Sequence, residues 1–143
     1  MPRHTRAYAA LLIVFTIGLA ACSKPAAPPG GSAAQGVQVT SVDLGRSLNA
    51  DKTIGDGTKT FRPNDTIYAS VATEGSSSSA ALKARWTYQD GQVVDESTQT
   101  IAPTGKATTE FHISKPNGWP AGKYNVAVSL NGAAAGAKDF EVK

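Results

Sequence analysis

The sequence predicts an all-β fold, an antiparallel sandwich of two sheets and about seven strands that holds together without a disulfide. Three observations carry that expectation. From Val37 onward the chain breaks into short stretches that alternate apolar and polar residues, and none of them shows helical spacing. Dipeptides suited to tight hairpins fall between the stretches. The single cysteine, Cys22, lies before this region, so the core must hold by packing alone.

The stretches can be taken in order. "VQVTSVDL" (37–44) sets Val37 and Val39 on one face, and "DTIYASVAT" (65–73) does the same with Ile67, Ala69 and Val71. "ALKARWTYQ" (81–89) aligns Leu82, Ala84, Trp86 and Tyr88, with Lys83 and Arg85 opposite. "QVVDESTQTI" (92–101) follows after Asp90-Gly91, a dipeptide that accepts the positive φ values of a type I′ turn. "ATTEFHIS" (107–114) aligns Ala107, Thr109, Phe111 and Ile113, leaving Glu110 and His112 facing away. Asn117-Gly118 marks a further turn. "KYNVAVSL" (123–130) aligns Tyr124, Val126, Val128 and Leu130; Asn131-Gly132 then turns the chain into a last strand ending in Phe140 and Val142. That final hairpin is expected to offer an exposed edge.

A resemblance sharpens this picture. "WPAGKYNVAVSLNG" (119–132) is similar to the penultimate strand and final hairpin of bacterial immunoglobulin-like modules in envelope and secreted proteins, which close on a Phe-x-Val like Phe140-Glu141-Val142. The resemblance implies an immunoglobulin-like sandwich over 37–143, with Tyr124 at a tyrosine corner and Trp86 as the tryptophan of strand C. Antibody domains carry a cysteine two residues after that tyrosine, where this chain has Val126. At the partner position it has Ala69 or Val71.

The N-terminus has a different logic. Arg3 and Arg6 precede "AYAALLIVFTIGLAA" (7–21), an apolar run with no charge that ends in small residues. That is the layout of a secretory signal peptide, and it is shorter than the ~20 residues of a spanning helix. Leu19, Ala20, Ala21 and Cys22 resemble the lipobox of bacterial lipoproteins. The resemblance implies that Cys22 becomes the mature N-terminus and carries a diacylglycerol thioether and a further acyl chain such as palmitate. Two or three acyl chains hold a protein at a membrane almost permanently, at ~0.8 kcal/mol per buried methylene. Ser23 in place of an aspartate favours the outer membrane over the inner in lipoproteins similar to those of enteric bacteria.

Three segments follow: a lipoprotein signal peptide at 1–21, the lipidated Cys22 and a linker at 22–36, and the sandwich at 37–143. The linker "SKPAAPPGGSAAQG" is too poor in apolar residues to offset its chain entropy. A flexible tether of this length averages roughly 20 Å end to end.

Charge excludes one class of function. The whole chain has 14 Lys and Arg against 11 Asp and Glu; loss of Arg3 and Arg6 leaves 12 against 11, a net of +1. With no dense basic run, nothing points to nucleic acid. The domain has one histidine, His112, inside an alternating strand, and no nucleophile elbow or serine-lysine signature. Zinc sites need several His or Cys ligands, and neither supply exists here. Asp51 and Asp56 in "ADKTIGDGTK" lack the rhythm of a calcium loop, and "EGSSSSAA" (74–81) reads as a flexible polar connector. No enzyme, metal or cofactor is expected.

Two candidate binding residues remain. Trp119, beside Pro120 in a turn, either stands exposed at one end of the sandwich or caps the core. Arg85 lies with Lys83 on a polar sheet face, in line with Thr87 and Gln89. The expected function is a lipid-anchored, non-catalytic module of the bacterial envelope that binds a protein partner. The alternatives are a periplasmic inhibitor or immunity lipoprotein, and a carbohydrate-binding module using Trp119 with Tyr88 or Tyr68.

Overall fold

Strict alternation gives each strand one apolar face, and two such faces close on each other to exclude water. The computed structural model of the protein describes residues 36–143; the segments expected to be a signal peptide with its lipobox, Cys22 and nearly all of the expected linker lie outside them. Eight strands form: β1 (Gln38–Gly45), β2 (Thr60–Phe61), β3 (Ile67–Glu74), β4 (Ala80–Tyr88), β5 (Gln92–Ile101), β6 (Ala107–Ile113), β7 (Gly122–Leu130) and β8 (Ala133–Val142). They make a three-stranded sheet in the order β1-β3-β6 and a five-stranded sheet in the order β2-β8-β7-β4-β5. Every pairing is antiparallel except β2 beside β8.

The alternating residues are the core. Ile67, Ala69 and Val71 of β3 are fully buried, as are Leu82, Ala84 and Trp86 of β4 and Val126 of β7. Trp86 lies edge-on to Phe140 at 5.9 Å, and Phe140 stacks on Tyr124 at 5.2 Å. The indole Nε1 of Trp86 is buried and has no acceptor among the described residues.

Three features depart from the expected pattern. β1 changes face partway: Val39 pairs with Thr73 and Ser41 with Ala72, so Thr40 is an extra residue. This bulge lets Val42 and Leu44 join Val37 in the core, although they differ from it in parity. The eighth strand, β2, is only two residues long, too short for any periodicity to announce. It still buries Phe61, whose ring meets Phe140 edge-on at 5.5 Å. It also covers the end of β8 at Glu141 and Val142, so the last strand is not a wholly bare edge.

The third departure concerns turns. Asn131 and Gly132 both have positive φ, 50° and 83°, between the paired Leu130 and Ala133, as a two-residue type I′ loop requires. Asp90-Gly91 does not repeat this. Tyr88 pairs with Gln92 around a three-residue loop, and Gln89 and Gly91 take the positive φ values, 45° and 95°. Gln89 is held there because its N–H donates to the Lys123 carbonyl at 2.8 Å.

Candidate functional site

Trp119 takes the second of its two alternatives and caps the core. It is only 7% exposed, its Nε1 donates to the Asp65 carbonyl at 3.2 Å, and its ring meets Tyr124 edge-on at 6.2 Å. It is therefore not an exposed binding residue. The tyrosine corner forms as the resemblance implied: the Tyr124 hydroxyl donates to the Pro120 carbonyl at 2.7 Å. Burial first, then the neighbouring Tyr88, pushes the Tyr124 phenol above its ordinary pKa and keeps it a donor. Tyr88 adds a second clamp, donating to the Ala121 carbonyl at 3.0 Å.

Asp65 organises the same end of the sandwich, a role that no sequence motif announced. Its carboxylate accepts from the Arg62 N–H at 2.8 Å and from Arg46 Nε at 2.9 Å. Those contacts, the Arg62 N–H foremost, hold its carboxyl below the usual range. Arg46 also donates to the Thr60 carbonyl at 2.8 Å and approaches Asp56 at 3.5 Å, stitching down the loop between β1 and β2. Asp56 is thus a partner for Arg46. Asp51 instead accepts from the Thr53 hydroxyl at 2.6 Å and its N–H at 3.1 Å, which lowers its pKa. Each acid serves its own turn rather than a shared ligand set.

His112 is exposed on β6 and sits 3.1 Å from Glu110 through Nδ1, with its ring tilted against Tyr68 at 5.5 Å. Tyr68 belongs to the three-stranded sheet and Tyr88 to the five-stranded one, and Trp119, the residue that either was expected to join in a sugar site, is buried. The serine run is more ordered than a flexible connector. The Ser77 hydroxyl donates to the Ser79 carbonyl and accepts from its N–H, while the Ser77 N–H donates to Pro103.

Arg85 is exposed on β4, 3.8 Å from Glu96 of β5, and Lys83 reaches the same carboxylate at 3.1 Å. The face is a charge ladder across two strands, with one acid shared by two cations. Beyond it lies β5, the outermost strand of its sheet. Val93 at its start is 44% exposed, the only exposed large hydrophobic residue among the described residues. The surface depressions are open; one of about 540 Å³ lies between Lys59, Lys138 and the Ile54 loop. Another, of about 590 Å³, lies over Thr40, Asp51 and Lys106.

Two sheets of three and five strands, a tyrosine corner and a buried tryptophan on the third long strand define an immunoglobulin-like β-sandwich. The chain is similar to an immunoglobulin-like protein from Pseudomonas aeruginosa, at 14% identity and a TM-score of 0.54 over 78% of this chain and 99% of that one. It is also similar to the C-terminal domain of Wzt, at 9% identity and a TM-score of 0.51 over 76% of this chain and 74% of that one. A weaker likeness, at 16% identity and a TM-score of 0.49, is to the DNA glycosylase AlkC of Pseudomonas fluorescens bound to DNA containing an abasic site analogue. It covers 75% of this chain but only 30% of the glycosylase. No protein-family model and no curated protein matches the sequence. The likenesses to the Pseudomonas aeruginosa protein and to Wzt establish the fold alone.

Proposed function

We propose that the protein is a bacterial envelope lipoprotein, anchored through Cys22, whose immunoglobulin-like domain is a non-catalytic module for a protein partner. The observation that carries the reading is how the reactive side chains are employed. Tyr124, Tyr88 and Trp119 donate to backbone carbonyls, Asp65 and Asp56 hold Arg46, and His112 pairs with Glu110 on an exposed strand. The chemistry in the sandwich is spent on fixing its shape. What it presents outward is strand surface and strand edge, which suit recognition of another protein.

The anchor belongs to the same reading. The lipobox Leu19-Ala20-Ala21-Cys22 supports a lipid on Cys22, and Ser23 supports the periplasmic face of the outer membrane. The short linker then keeps the domain within a few nanometres of the bilayer.

In-cell crosslinking of the full-length lipidated protein, followed by mass spectrometry of what copurifies, tests this function. The expected result is one near-stoichiometric envelope protein. Recovery of only abundant bystanders contradicts it, and a hydrolytic activity lost in His112→Ala would replace it with an enzyme.

A further inference from the structure

We propose that β5 is where the partner binds, by adding an extended segment that carries basic side chains to the open edge of the five-stranded sheet. This inference rests on the protein-binding reading above and gives it a place and a chemistry.

The register shows which backbone groups are free. The Ala81 carbonyl accepts from Asn131 N–H, and the Gln89 N–H donates to Lys123, so odd-numbered residues of β4 turn their backbone toward β7. Even-numbered residues therefore bond β5, where Leu82, Ala84 and Trp86 pair with Gln99, Ser97 and Asp95. The N–H and C=O groups of Glu96, Thr98 and Thr100 consequently point away from the sheet, and all three residues are exposed. A strand laid beside them finds an uninterrupted row of donors and acceptors.

The other edges are guarded. β1 is broken by the bulge at Thr40. On β6 the outward carbonyl of Glu110 is taken by Gln99 Nε2 at 2.6 Å. β8 is bulged at Ala135 and capped by β2, which Pro63 follows within two residues. On β5 the irregularity is confined to Val94, near its start, and the run from Glu96 to Ile101 is regular. An edge left this open is a template for another chain.

Charge selects the kind of segment. Residues 36–143 contain 11 Lys and Arg and 11 Asp and Glu, yet β5 and β6 together carry Asp95, Glu96 and Glu110 and no Lys or Arg. Asp95 is exposed and makes no ion pair among the described residues. An arriving Lys or Arg beside Asp95 meets a carboxylate that no described cation pairs, whereas Glu96 on the opposite face is already shared by Lys83 and Arg85 and selects neither charge.

The test uses the full-length protein in its own cells, with a photo-crosslinking residue at Val93 and, as comparison sites, at Lys115 and Asn131. The expected result is an adduct from Val93 whose crosslinked peptide is extended and carries Lys or Arg. Thr98→Pro removes an outward N–H without touching the bonds to β4. It should cut the Val93 adduct at least tenfold while leaving the melting temperature close to that of the parent. Asp95→Lys should weaken it several-fold. Adducts from Lys115 or Asn131 but not Val93, or a Val93 adduct that survives Thr98→Pro, overturn the edge proposal and spare the protein-binding reading. An acidic captured peptide or a second copy of this chain at Val93 likewise overturns it. No adduct from any site overturns both.

Discussion

Tyr124 shows how a single residue fixes the far end of the sandwich. Its ring fills the core against Phe140, and its hydroxyl closes on Pro120 four residues back. Tyr124→Phe keeps the packing and leaves that carbonyl without its donor, so it should cost about 1–2 kcal/mol in a denaturant titration. Asp65 makes a prediction in pH. Its folded pKa is depressed, so its contribution is fully present above the unfolded value of ~3.9 and is lost as pH falls through the folded value. Asp65→Asn should be less stable than the parent at neutral pH, with the gap closing in acid. Unfolding curves across the acid range read this directly, and a gap that is constant with pH would contradict it.

At the scale of elements, β2 and β5 matter most, and for opposite reasons. β2 adds two residues to its sheet but buries Phe61 against Phe140, so Phe61→Ala should cost about 3–5 kcal/mol by thermal or chemical unfolding. A much smaller loss would mean that β2 is an ornament. The strands with strict alternation, β3, β4, β6 and β7, were legible in the sequence because one face of each is wholly committed to the core. β2 was not, because two residues carry no period. The bulge in β1 was hidden for a related reason: Val42 and Leu44 break parity with Val37, and only the pairing with β3 shows where the extra residue sits. The two hairpin dipeptides diverged because Lys123 offers Gln89 an acceptor, and no local pattern reveals that contact.

For the whole molecule, the sequence announced a sandwich but not the allocation of strands between sheets. That allocation leaves β5 with one neighbour, and it follows from long-range pairing rather than from anything within "QVVDESTQTI". For Trp119 the sequence left an exposed and a core-capping place open, since what decides between them is the Asp65 carbonyl 54 residues away. The central claim is a lipid-held module that works by binding a protein. Native mass spectrometry of the full-length protein, extracted in detergent from its own membranes, tests it most directly. The account predicts a chain that begins at a lipid-modified Cys22 and carries one partner subunit, with the lipid absent and the protein released from membranes in Cys22→Ser. An unmodified Cys22, or a lipidated chain that always flies alone, would contradict it.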